Sequence, residues 1–120
     1  MDVIPSVLDK ANKIRPNGPL QIAAAICAFN PPPIWRDVVE RLCRFSFSDV
    51  VVVDDGSVPP LALPSTTREG PTLRILRCPA NAGLAAARNH VLKKIEADWV
   101  LFVDADVMPS EAFLASLPSR

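Results

Sequence analysis

The sequence predicts an α/β fold built on a mostly parallel sheet of about four strands, with helices on both faces. Three observations predict it. Short apolar runs without strict polar alternation recur along the chain, as expected of strands buried on both faces. Stretches with apolar residues at helical spacing lie between them. Proline, glycine, asparagine and aspartate cluster where one pattern gives way to the next, which marks loops. Alternation of this kind implies parallel strands joined by right-handed crossovers.

Residues 1–19 carry scattered charges and no long apolar run, so they read as an N-terminal tail or an extra helix, and 20–120 as the domain. The first strand lies in Leu20 to Ala28 (LQIAAAICA). A helix follows, with Ile34, Trp35, Val38, Val39 and Leu42 on one face and Pro33 suited to its first position. Val50 to Val53 form the second strand. After a loop containing Pro59, Pro60, Pro64 and Pro71, Leu73 to Leu76 form the third. The stretch from Gly83 to Glu96 is rich in helix formers and repeats Leu84, Ala87, Val91 and Ile95 on one face. Trp99 to Val103 (WVLFV) is the fourth strand, and Ser110 is a good N-cap for a last helix burying Phe113, Leu114 and Leu117. The order is Rossmann-like, and ligands of such open sheets bind beyond the carboxyl ends of the strands.

Composition narrows the partners. The 13 basic and 13 acidic side chains cancel, which argues against nucleic acid. No stretch approaches the ~18 uninterrupted apolar residues of a membrane span, and no signal peptide is evident. Cys27, Cys43 and Cys78 are an odd count without CxxC spacing, so they read as small packed hydrophobes in a reduced, cytoplasmic setting.

The strand ends carry the chemistry. Phe29-Asn30 ends the first; the ring could stack on a base or sugar, or Asn30 could cap the next helix with Phe29 packed over it. Asp54-Asp55-Gly56-Ser57 ends the second. Two adjacent carboxylates cannot both enter a core, so at least one faces the crevice, although Asp-Gly is also a common turn. Asp104-Ala105-Asp106 ends the fourth, putting two carboxylates on one side. A divalent cation such as Mn²⁺ or Mg²⁺, completed by waters and phosphates, would relieve their repulsion; a plain Asp turn is the alternative. In Asn81 to Asn89, Gly83 opens a helix from which Arg88 could meet phosphate or reach solvent. His90, the lone histidine, reads as a partly exposed helix residue.

Phe29-Asn30, Val52 to Ser57 (VVDDGS), Asn81 to Asn89 (NAGLAAARN) and Phe102 to Asp106, in this order and at these separations, together resemble the family 2 glycosyltransferases of the GT-A fold. The resemblance runs from about Gln21 to Leu117. It implies a truncated GT-A fold and a nucleotide-diphosphate sugar, a UDP-sugar first among donors, held across the sheet ends. Phe29 and Asp55 would contact the nucleobase with Asp54 and Asn30 nearby, and Arg88 would lie near the diphosphate or ribose. Asp104 would face the ribose or sugar, and Asp106 would bind the metal. Cys27-Ala28-Phe29 stands where the family more often has Pro-Thr-Tyr. The family's catalytic base and acceptor segment lie downstream of DxD, and 14 residues follow Asp106, so no base is nominated.

Two rival readings differ in class. One is a non-catalytic nucleotide-binding or protein-interaction module, with an exposed sheet edge offering a homodimer contact. The other is a haloacid-dehalogenase-like phosphohydrolase, matched at Asp104-Ala105-Asp106-Val107 but lacking the later lysine and acidic pair that its chemistry needs. Sugar, acceptor and stereochemical outcome are not encoded in any motif.

Overall fold

The computed structural model describes residues 2–5, 20–64, 72–78 and 80–118. It contains β1 (Asp2–Pro5), β2 (Ile22–Ala28), α1 (Trp35–Leu42), β3 (Asp49–Asp54), β4 (Thr72–Arg77), α2 (Leu84–Lys94), β5 (Trp99–Asp104) and α3 (Glu111–Ala115). The strands form one sheet in the order β1-β5-β2-β3-β4. The four strands expected from the sequence are all parallel to one another. β1 adds an antiparallel edge, pairing Asp2 with Phe102 and Pro5 with Trp99.

That strand is the main addition to the sequence reading. Residues 2–5 pair as a strand, not a tail or a helix, while 6–19 lie outside the described residues. β1 also occupies the outer side of β5, so the sheet's two edges are β1 and β4.

Side-chain parity sorts the core into two layers. In β3, Val50 and Val52 belong to one apolar cluster and Val51 and Val53 to the other, because successive residues of a strand point to opposite faces. The first cluster receives Trp35, Val38, Val39 and Leu42 of α1 and Leu114 of α3. The second receives Ala87, Val91 and Leu92 of α2. Helices therefore cover both faces. β2 is rich in alanine, and Ala23, Ala24 and Ala25 are fully buried, which lets the helices sit close to the middle of the sheet.

Phe113 and Leu117 are only partly buried, with Leu117 beyond the end of α3, and two further apolar positions depart from the expected faces. Ile34 and Leu84 stand just before and at the first turn of their helices and are 37% and 54% exposed. Val38, Val39 and Leu42 on α1, and Ala87, Val91 and Ile95 on and after α2, are buried as the spacing requires. Ser110 caps α3, its Oγ accepting from the Phe113 N–H at 3.0 Å. Among the described residues no helix is long and apolar enough to cross a membrane.

Leu42→Ala should lower unfolding free energy by about 3 kcal/mol in urea titration, since it empties a sealed core position. Leu84→Ala should change it by less than about 0.5 kcal/mol, as an exposed substitution does.

Candidate functional site

The carboxyl ends of β2 and β3 adjoin the first turn of α2 around a cleft of about 200 Å³. Cys27, Phe29, Asp55, Gly83, Leu84 and Ala87 line it. Parity decides which polar groups gather there. Cys27 and Asp104 are register partners on neighbouring strands. They share the parity of Ala23, Ala25, Val100 and Phe102, all on the α2 face. Asp55 continues that face from Val51 and Val53.

The Asp54-Asp55 pair divides its labour accordingly. Asp54 is fully buried on the α1 side. Its carboxylate accepts from Ser57 N–H at 2.8 Å and Leu61 N–H at 2.9 Å, and it pairs with the Arg77 guanidinium. Arg77 also donates to the Ser57 carbonyl at 3.1 Å. Burial alone would raise the Asp54 carboxyl. The Leu61 and Ser57 hydrogen bonds and the Arg77 charge outweigh it and hold the carboxyl below its ordinary value.

Asp55 turns the other way. It accepts from Ala82 N–H at 3.0 Å and Gly83 N–H at 2.9 Å, the two amides that lead into α2, near the end of the helix whose dipole favours a negative charge. Gly56 lies between this loop and the approach to α2. Its φ is +86°, and an added Cβ would fall 2.7 Å from the Asn81 nitrogen, so this close approach requires glycine.

Asn30 does not cap α1. With φ at 45°, it turns back to the β3 loop, where Val58 N–H donates to its Oδ1 at 2.9 Å and its own N–H donates to Ser57 Oγ at 2.9 Å. Its neighbour Phe29 is 48% exposed and lines the cleft. The partner that fixes Asn30 is 28 residues away, beyond any local sequence signal.

Arg88 is half-buried and its guanidinium lies 5.0 Å from the centroid of Phe102, on the α2 face. Burial raises the Cys27 thiol to about 11, with Arg88 drawing it down and Asp55, Cys78 and Asp104 pushing it up. Groups from four elements or the loops after them thus act on one side chain at the cleft. Cys78, buried beyond Asp55, is also raised, first by burial and then by Asp55. His90 is half-buried on α2.

Asp104 and Asp106 are both exposed, with Ala105 buried between them. Among the described residues no group of three His, Cys, Asp or Glu side chains comes together. Two hard oxygen donors at one strand end suit a divalent ion that completes its shell with waters and phosphate oxygens. They do not make an all-protein metal cage.

Asp54→Ala would strand the Ser57 and Leu61 amides and should cost about 2–3 kcal/mol of stability. Because the folded carboxyl is depressed, its contribution is fully present above the unfolded pKa of about 3.9 and fades as pH falls through the lower folded value. Thermal melts from pH 7 downward should show that acid-side loss in the wild type. The Asp54→Asn variant should show a smaller one.

Comparison with known proteins agrees with this architecture. Residues 24–118 match the model of the family described as glycosyl transferase family 2. The pre-mycofactocin glycosyltransferases of two Mycobacterium tuberculosis strains, CDC 1551 / Oshkosh and ATCC 25618 / H37Rv, are each 40% identical over 68 residues. Those residues are 57% of this chain and 14% of each relative. The crystal structure of S. aureus TarS superposes with a TM-score of 0.54 at 25% identity, over 72% of this chain and 17% of TarS. The chain therefore spans a small part of the length of these proteins. The four-stranded parallel sheet flanked by helices is the GT-A type of α/β fold expected from the motifs. With four-fifths of its residues inside the matched region, the chain belongs to glycosyl transferase family 2.

Proposed function

We propose that this chain binds a nucleotide-diphosphate sugar, with a UDP-sugar first among donors, and supplies the donor side of a glycosyl transfer. The observation that carries the reading is that Asp55 lines the cleft with Cys27, Asp104 is the register partner of Cys27 on β5, and the Arg88 guanidinium lies against Phe102 on the same face of the sheet. Three motifs far apart in sequence supply those groups.

Each side chain has a part that its surroundings support. The exposed Phe29 ring lining the cleft offers a face for a nucleobase to stack on. Asp55 is acceptor-only, and each of its oxygens keeps a lone pair beyond the bond to the α2 amides, suited to an N–H of the base. Arg88 carries a permanent charge toward the diphosphate or ribose. Asp104 would face the ribose or sugar. Asn30 and Asp54 serve the site at one remove, holding the β3 loop through Ser57 and Val58.

Asp106, assisted by Asp104, would hold Mn²⁺ or Mg²⁺. When bound there, such an ion supplies Lewis-acid stabilisation of the charge that builds on the departing nucleoside diphosphate. No general base is assigned to any residue of this chain, and acceptor activation is outside the proposal. A non-catalytic nucleotide-binding role would use the same cleft, so donor binding is the claim to test first. A cytoplasmic setting and a homodimer through one of the sheet edges, β1 or β4, belong with the proposal as secondary expectations.

Calorimetric titration with UDP should give binding at least about tenfold tighter with Mn²⁺ than with a chelator, ~1.4 kcal/mol in free energy. Asp106→Ala should abolish that difference while leaving chelator-state binding unchanged. Absence of heat beyond dilution in both conditions would sink the donor-site reading.

A further inference from the structure

The segment that carries Asp106 leaves β5, turns, and reaches α3 at Ser110. At its near end the Val107 N–H donates to the Asp104 carbonyl at 3.2 Å. At its far end the anchor comes from another layer of the fold. Arg41, in the last turn of α1, donates from Nη1 to the Pro109 carbonyl at 3.0 Å. Its Nη2 lies 3.6 Å from Glu111 Oε2.

The two contacts are unequal. Glu111 is 63% exposed, so the ion pair is screened and contributes little. Pro109 is buried and the hydrogen bond to its carbonyl is partly shielded from water, which favours a fixed protein donor. The guanidinium provides a charge-assisted one. Arg41 is itself held still because Val38, Val39 and Leu42 on the same helix are sealed against the sheet. The path from core to Asp106 is therefore short: α1 fixes Arg41, Arg41 fixes Pro109, and Pro109 lies three residues beyond the carboxylate.

We propose that Arg41 is a positioning residue for Asp106, holding the DxD turn so that the carboxylate keeps its place beyond the end of β5 before any ligand arrives. This role rests on the donor-site reading above. Only a forked side chain reaches both Pro109 and Glu111 from this distance, so lysine would serve in part.

The test compares the wild-type chain with Arg41→Ala, Arg41→Lys and Glu111→Gln, using hydrogen exchange without ligand and UDP titration with Mn²⁺ or chelator. Arg41→Ala should speed exchange at Val107 and Met108 while leaving β2 and β3 protected. It should also weaken Mn²⁺-assisted UDP binding about tenfold or more, with chelator-state binding within about twofold of wild type. Arg41→Lys should recover part of the loss, and Glu111→Gln should match wild type. Unchanged exchange and binding in Arg41→Ala would overturn the assignment. So would equal weakening with and without Mn²⁺, which is the mark of a general fold defect. If the wild type shows no Mn²⁺-assisted binding while Arg41→Ala still frees Val107, the donor reading fails and the anchor stands.

Discussion

A carboxylate with no access to water must be given partners inside the protein, and the fully buried Asp54 sets that demand at the centre of this fold. Its oxygens draw in the Ser57 and Leu61 amides and the Arg77 guanidinium. The loop after β3 consequently folds back over the α1 side. Ser57, fixed in this way, accepts from Asn30 and so ties the end of β2 to the same loop. The next residue in an extended chain must face the opposite side, which delivers Asp55 to α2 and the cleft. One buried charge thus arranges the ends of β2, β3 and β4 before any ligand is considered.

The cleft that results joins groups with different attachments. Asp55 is locked by two amides at the start of α2, and Gly56 permits the close passage of that segment over the β3 loop. Asp104 ends a central strand, while Asp106 sits beyond it on a turn. Preorganisation is therefore strong around Asp55 and depends on fewer contacts around Asp106. Sites built on rigid elements hold geometry better than sites on loops, and the Arg41 contact from α1 compensates where the DxD turn leaves the sheet.

Most of the fold was legible because its signals are local and periodic. Four apolar runs became four parallel strands, and three helical stretches became three helices. β1 has no sequence signal because Asp2 to Pro5 offers only two apolar β-formers between an aspartate and a proline, too short a run to show a period. Ile34 and Leu84 were misplaced because a helix's first turn can swing clear of the sheet even when its spacing fits. At the site, the alternation of side chains already contained the partition that matters. Asp55 and Asp104 share a parity with the α2 face, and Asp54 does not. The bonds of Asn30, Arg77 and Arg41 were out of reach, since each spans 20 or more residues of sequence.

The central claim is that the tips of β2, β3 and β5 and the start of α2 act on one ligand. Amide chemical-shift mapping by NMR during titration with UDP and Mg²⁺ tests it most directly. Concerted shifts are expected at Phe29, Asp55, Gly83, Arg88 and Asp106, with no response at the groove lined by Phe45, Phe47 and Leu117. Shifts confined to one strand tip, or centred on that groove, would contradict it.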